Sequence, residues 1–166
     1  MHISQKISPC LWFDDQAHEA ATFYTQIFDN ARITGVTHYG AAGFEIHGRP
    51  AGSVMSVVFE LCAETFTALN GGPLFTFNEA ISLQINCVDQ AEIDRYWAAL
   101  GEGGDPAAQQ CGWLKDRYGV SWQVVPTLLT EMIGKSDQQA GDRVMTAMLQ
   151  MKKLDIATLK AAFDGD

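Results

Sequence analysis

The sequence predicts an α+β fold in which one β-α-β-β-β module is written twice and is followed by helices. Residues 15–17, Asp-Gln-Ala, return 74 residues later as residues 89–91. Each copy follows a strand-like run and continues into a helical pattern that contains aromatic residues. The chain after Pro126 has helical patterning without a further copy. These observations predict two modules whose sheets pair around a shared cavity, with helices at the C-terminal end.

The first copy opens with a strand and a helix. Residues 7–13 form an apolar run, with Pro9 near its beginning, where a missing donor is tolerated. Asp14 or Asp15 is expected to cap the helix, because a short acceptor side chain can bond its free amide groups. Its buried face is predicted from helical spacing at Ala20, Phe23, Tyr24, Ile27 and Phe28. Further strands are predicted over residues 31–39, 53–62 and 65–69, with a Gly-rich loop or loose hairpin at residues 40–52.

The second copy repeats this order with clearer start and stop signals. Residues 80–88 alternate in part between apolar and polar, as a strand with one buried face does. Asp89 is expected to cap the next helix, and Glu92 completes a capping-box pattern. Gly101 is placed to end that helix. Two strands are predicted over residues 112–115 and 120–125, on either side of a four-residue turn.

The end of the chain falls outside the repeat. Val144, Met148 and Met151 share an apolar helical face. The methionines are expected either in the core or at a subunit contact, since Met adapts to irregular packing. We therefore predict a single domain, residues 1–166. Its parts are a first module at residues 5–73, a second at 78–127 and a helical extension at 128–166.

Composition excludes some classes of function. The net charge of -9 argues against nucleic acid, because phosphate binding needs clustered Lys and Arg. No apolar run reaches the roughly 18 residues that span a bilayer, so no membrane partner is expected. The four cysteines are scattered and form no C-x-x-C pair. We interpret them as reduced thiols in a cytoplasmic protein.

Three segments carry a resemblance to a known family. They are residues 12–14 leading into Phe23-Tyr24, residues 82–87, and residues 112–126, which read GWLKDRYGVSWQVVP. Together they resemble the PhnB-like proteins labelled "3-demethylubiquinone-9 3-methyltransferase", in the vicinal-oxygen-chelate superfamily of glyoxalases, dioxygenases and bleomycin-resistance proteins. The resemblance covers about residues 5–160. It implies two βαβββ modules forming curved mixed sheets around a central cavity, often completed by homodimerisation.

The resemblance also implies where metal ligands would stand. In the superfamily's metal enzymes they come from the first and fourth strands of each module, here at or near Pro9, Ala68, Leu83 and Gln123. Ser82 or Gln84 lies close to the third position, and Gln123 stands where metal enzymes carry Glu. Hard cations require several oxygen ligands, and softer ones require imidazole or carboxylate. We therefore expect no metal and no other cofactor. Glu60 and the four histidines are interpreted as solvated or structural.

The methyltransferase label has no support in the sequence. A methyl donor is usually held by a strand, a Gly-rich turn and an acidic residue on the next strand. Residues 71–73 place Pro where a helix would have to continue, and Gly103-Gly104 leads away from a helix. The sequence assigns no catalytic residue, and whether the protein is an enzyme stays open.

Strand alternation predicts which side chains line the cavity. The candidates for binding a small molecule are Leu11, Phe13, Phe66, Asn70, Gln84 and Gln123. An apolar pocket with a few amides is a common small-molecule site, although amides can also serve backbone groups at a dimer seam. Two hypotheses follow: a metal-independent binding protein, or an enzyme of lyase, isomerase or transferase type. A homodimer that uses the C-terminal helices is expected in either case.

Overall fold

A computed structural model describes residues 5–134 and 137–166 of the chain. It forms two compact units, Met1–Phe77 and Asn78–Asp166. Each unit has its own mixed sheet with helices packed on it, which confirms the predicted α+β class. Within the described ranges, no helix combines the length and apolar character that crossing a bilayer requires.

The first unit contains four strands in the spatial order β1-β4-β3-β2. Its elements are β1 (Cys10–Phe13), α1 (Ala17–Ile27), β2 (Arg32–His38), α2 (Phe44–His47), β3 (Val54–Leu61) and β4 (Glu64–Asn70). β1 runs parallel to β4, and the other pairings are antiparallel. The predicted loop at residues 40–52 contains the short helix α2, which begins and ends at glycines with positive φ. The other elements match the predicted order.

One face of this sheet and the inner face of α1 form the core of the first unit. On β4, alternate residues are buried, and their partners on β1 and β3 are buried with them. Tyr24 of α1 stacks on Phe59, which in turn stacks on Phe66. The buried side chains of this core include Leu11, Phe13, Ala17, Ala20, Ala21, Tyr24, Val57, Phe59, Leu61, Phe66 and Ala68.

The start of α1 differs from the prediction. Its N-cap residue is Gln16, whose side chain makes no capping bond, so the assignment of the cap to Asp14 or Asp15 was wrong. The backbone N–H of Ala17 instead donates to Oδ1 of Asn70, at 2.8 Å. Asp14 is engaged elsewhere, because its carboxylate binds Arg49. A residue 53 positions along the chain therefore caps this helix.

The second unit contains a three-stranded sheet in the order β5-β7-β6 and most of the helices. Its elements are β5 (Leu83–Cys87), α3 (Gln90–Gly101), β6 (Trp113–Lys115), β7 (Ser121–Pro126), α4 (Leu128–Gly134), α5 (Gln138–Leu149) and α6 (Ile156–Asp164). β5 runs parallel to β7, and β6 is antiparallel to it. The expected cap of α3 is present, since Asp89 accepts a hydrogen bond from the N–H of Glu92.

This sheet has one strand fewer than the first. Between α3 and β6 the chain forms a single 3-10 turn (Pro106–Ala108) and an isolated bridge between Gln110 and Trp113. Pro106 lacks an N–H, and Gly103 adopts a positive φ, so this stretch is suited to a turn rather than to an extended pairing strand.

The C-terminal helices form a core of their own. Leu129, Val144, Leu154 and Leu159 are buried together. Met132, Met148 and Met151 pack against this cluster. Of the two expected roles for Met148 and Met151, the structure thus shows core packing. Met145 and Leu149 remain 37% and 51% exposed on α5.

Candidate functional site

One face of the second sheet carries most of its polar side chains. Paired residues on neighbouring strands point to the same side of a sheet. Gln84 of β5 and Trp113 of β6 are both register partners of Gln123 on β7, and Lys115 is the partner of Ser121. We call these five residues the polar face. The opposite side of β7 carries the buried Trp122 and Val124, which belong to the core.

A hydrogen bond anchors the centre of the polar face. Nε2 of Gln123 donates to Oγ of Ser82, which directly precedes β5, at 2.8 Å. Gln84 lies beside Gln123 and donates from Nε2 to Oδ1 of Asn86, also at 2.8 Å. Each amide keeps its side-chain carbonyl as an acceptor. The two glutamines predicted from the sequence are therefore brought together in one unit.

The polar face also contains one charged side chain, Lys115, and one buried hydroxyl, Ser121. The ammonium of Lys115 pairs with Glu79, and this hydrogen bond lowers the pKa of the Glu79 carboxyl. Ser121 is only 2% exposed, and its Oγ has no hydrogen-bond partner within the described residues. A buried hydroxyl without a partner is costly, and such groups are uncommon in folded proteins. The Ser121 hydroxyl is therefore an unsatisfied buried group beneath the surface of the polar face.

The residues at the four positions where the superfamily's metal enzymes carry ligands do not suit a divalent ion. Gln123 and Ser82 are neutral, and their contact is a hydrogen bond between them. Pro9 offers only its carbonyl, which already accepts from the N–H of Thr67, and Ala68 is fully buried among apolar side chains. Within residues 5–134 and 137–166, no three His, Cys, Asp or Glu side chains are grouped as a metal site. Glu60, the nearest acidic alternative, pairs with Arg32 at 2.7 Å.

The four candidates from the first module lie on the side of the first sheet that packs against α1. Leu11 and Phe13 of β1 are buried, and so is Phe66 of β4, which stacks on Phe59 at a centroid distance of 5.4 Å. Phe13 also contacts the ring of Phe77 edge-on. These side chains contribute to the core of the first unit, and their contact with a ligand stays a prediction.

Asn70 is buried and has both ends of its amide engaged. Oδ1 accepts from the N–H of Ala17, and Nδ2 donates to the carbonyl of Val54 at 3.0 Å. Its backbone carbonyl accepts from the hydroxyl of Tyr39 at 2.6 Å. Asn70 thereby connects α1, β3 and β4 where β1 and β4 both end.

A cavity of about 220 Å³ lies beside Asn70 within the first unit. Its lining residues are Asp15, His18, Arg49, Pro50, Ser53, Val54 and Asn70. We call it the α1–β4 cavity. Sequence reasoning identified Asn70 but missed the others. The available signal was Arg49, a cation placed between Gly48 and Pro50 in a Gly-rich segment.

Comparison with solved structures supports the fold. The PhnB protein of Bacillus cereus is 33% identical over 74% of this chain and 99% of its own, with a TM-score of 0.62. Protein PA1353 of Pseudomonas aeruginosa is 24% identical over 74% of this chain and 98% of its own, with a TM-score of 0.55. The fosfomycin resistance protein FosX of Listeria monocytogenes, solved with Mn(II) and sulfate, shares the fold at 17% identity, 81% and 98% coverage, and a TM-score of 0.52.

The family is shown by the sequence as well. Residues 5–125 match the family described as 3-demethylubiquinone-9 3-methyltransferase. No protein of curated function matches the chain. The chain belongs to this PhnB-like family of the vicinal-oxygen-chelate superfamily, which confirms the resemblance seen in the sequence.

Proposed function

We propose that this protein binds a small organic molecule on the polar face of the second unit, without a metal ion. Gln84 and Gln123 can each donate and accept hydrogen bonds without ionising. The Trp113 ring, opposite Gln123 in the register, adds an apolar surface on which a flat or aliphatic group can pack. Such a face suits a ligand that carries carbonyl or hydroxyl groups on an apolar skeleton.

The observation that supports this proposal most is the hydrogen bond between Gln123 and Ser82. It holds the Gln123 amide in place with its Oε1 available, so little side-chain freedom would be lost on binding. A metal ligand at this position would be expected to be ionised instead.

The test is to find what the purified protein carries. Elemental analysis should give far less than one transition metal ion per chain, and native mass spectrometry should reveal a bound organic molecule. Gln123→Leu keeps the side chain's approximate size but removes its hydrogen bonds, so it should lower the affinity for that molecule at least tenfold. Gln139→Leu makes the same change on the exposed surface of α5 and should leave the affinity unchanged.

The alternative is an enzyme of the glyoxalase or lyase type, or of the ubiquinone-type methyltransferase class that the family description names. One tightly held ion per chain, retained after dialysis against a chelator, would favour the first. Saturable binding of a methyl donor would favour the second. Either result would overturn the proposal of a metal-independent binding protein.

A further inference from the structure

The α1–β4 cavity brings a guanidinium, a carboxylate and an imidazole to one place. Arg49 comes from the segment between α2 and β3, and Asp15 and His18 come from the start of α1. Pro50 and Val54 add an apolar wall. This cavity belongs to the first unit, whereas the polar face belongs to the second.

Arg49 is held in place at both ends of the residue. Its backbone N–H donates to Nδ1 of His47 at 3.0 Å. Its Nη2 donates to the carbonyl and to Oδ1 of Asp14, at 2.5 and 2.7 Å. The side chain is only 21% exposed. Its Nε and Nη1 make no hydrogen bond within the part of the chain that the structure describes, so a mostly buried, already oriented guanidinium keeps donors for a ligand.

The charges around the cavity select against a simple ion. Asp14 binds Nη2 of Arg49, and the Asp15 carboxylate makes no side-chain bond within the described residues. An anion would therefore meet Asp15 as well as Arg49, and a cation would meet the guanidinium. A ligand that carries both signs can place each charge against its opposite.

The size of the cavity restricts the ligand further. Pockets for drug-sized ligands enclose about 300–1,000 Å³, and this one encloses about 220 Å³. The part of a ligand that it holds is therefore small, a few heavy atoms beyond the charged groups.

We propose that the α1–β4 cavity binds a small zwitterion of the α-amino-acid class. The carboxylate of the ligand accepts hydrogen bonds from Nε and Nη1 of Arg49, and its ammonium group pairs with Asp15. His18 lines the same cavity and can donate to or accept from a polar side chain of the ligand.

The test is a ¹H–¹⁵N NMR titration of the full chain with four probes: L-alanine, propionate, ethylamine and inorganic phosphate. L-alanine should bind saturably and shift the amide signals of His18 and Ser53 and the Nε–H signal of Arg49. It should bind at least tenfold tighter than propionate or ethylamine, because each of these lacks one of the two charges. Phosphate should bind more weakly than L-alanine.

Two variants test the partners of the ligand's ammonium group and of its carboxylate one at a time. Asp15→Asn should weaken L-alanine binding at least tenfold and leave propionate binding unchanged or stronger. Arg49→Gln should abolish the binding of L-alanine and of propionate. The amide signals of this variant away from the cavity will show whether the first unit is still folded. Glu45→Gln, an exposed substitution on α2 outside the cavity, should bind L-alanine like the parent chain.

Three outcomes would overturn this inference: no saturable shift with L-alanine, shifts that map outside the cavity, or binding of propionate, ethylamine or phosphate as tight as that of L-alanine. None of these outcomes bears on the proposed ligand of the second unit, whose tests use Gln123 and the co-purifying molecule. Failure of one proposal can thus be told from failure of the other.

Discussion

Asp116 shows how one buried carboxylate can organise a turn. It is 2% exposed, and Oδ1 accepts from the N–H groups of Tyr118 and Val120 at 2.9 and 3.0 Å. Oδ2 accepts from Nε1 of Trp122 at 2.8 Å. The carboxylate thereby joins the turn between β6 and β7 to a core side chain. The sequence predicts the turn, but not that its first residue is buried.

Replacing Asp116 with Asn should destabilise the protein strongly. Asn is neutral and has a single acceptor oxygen. Its NH₂ group would face at least one of the N–H donors, so at least one hydrogen bond is lost and the others are no longer made to a charge. We expect Asp116→Asn to lower the free energy of unfolding by about 3 kcal/mol, measured by urea denaturation.

Asp105→Asn is the matched control. Asp105 is exposed and accepts from the N–H of Ala107 at the start of the 3-10 turn, a position where Asn serves almost equally well. Asp105→Asn should change the free energy of unfolding by no more than about 0.5 kcal/mol. Equal effects of the two substitutions would contradict a special role for Asp116.

Thiol reactivity should differ between the cysteines. Burial raises the pKa of the Cys87 thiol to about 12, whereas Cys62 is exposed. Since the thiolate is the reacting species, Cys87 should stay unmodified at pH 8 while Cys62 reacts. Peptide mapping after timed treatment with a maleimide measures both rates. Labelling of Cys87 as fast as Cys62 in the folded protein would contradict this, and in urea both should react.

The residue that caps the N-terminus of a helix lies close by in the chain for some helices and far away for others. Asp89 caps α3 and Asp155 caps α6, each bonding an N–H three residues further along the chain. These caps can be predicted from sequence because acceptor and donor are close in the chain. The start of α1 is different, since its acceptor is Asn70 on β4.

The cap of α6 should make stability depend on pH. The N–H of Thr158, and then its hydroxyl, lower the pKa of Asp155 below its ordinary value, about 3.9. A lowered pKa means that the stabilisation is present above the ordinary value and is lost as the pH falls through the folded-state pKa. The thermal midpoint of the parent chain should therefore fall more steeply than that of Asp155→Asn below about pH 4.

The Asn variant keeps a capping oxygen but does not titrate at this position. All other carboxylates are common to both proteins, so the difference between their midpoints isolates Asp155. A difference that is constant from pH 7 to pH 3 would show that this cap does not contribute to acid sensitivity.

We predict that this protein forms a homodimer through α5. Met148 and Met151 are not the contact residues that we expect, because they pack within the second unit. The apolar side chains of α5 that remain exposed are Met145 and Leu149, which lie four residues apart on one helical face.

Sedimentation velocity at micromolar concentration tests this prediction. The parent chain should sediment as a dimer, and the double substitution Met145→Glu with Leu149→Lys should shift it toward the monomer. Ile46→Lys is the control, since Ile46 is 86% exposed in the first unit. A monomeric parent would contradict the dimer, and a double variant that stays dimeric would contradict the role of α5.

Much of the fold was predictable because its signals are local. An apolar run rich in valine identified β3, alternation identified β5, and the cap at Asp89 identified α3. Residues 40–52 were harder, since a four-residue helix between glycines has too few turns to show a periodic pattern.

The candidate site was predictable only in part. Strand alternation identified Gln84 and Gln123, and the register of β5 and β7 places them side by side. The bond from Gln123 to Ser82 spans 41 positions and depends on how the strands pair. The same holds for Arg49 and Asp14, which are 35 positions apart.

The order of strands and helices and the repeat of the module can be predicted without coordinates. These properties follow from hydrophobic period, capping residues and turn residues, which act over a few positions. The folded structure was needed to see that Asn70 caps α1, that Ser82 holds Gln123 and that Arg49 lines a cavity together with Asp15 and His18. Such contacts join residues far apart in the chain, and they form only once the sheets have closed the loops between them.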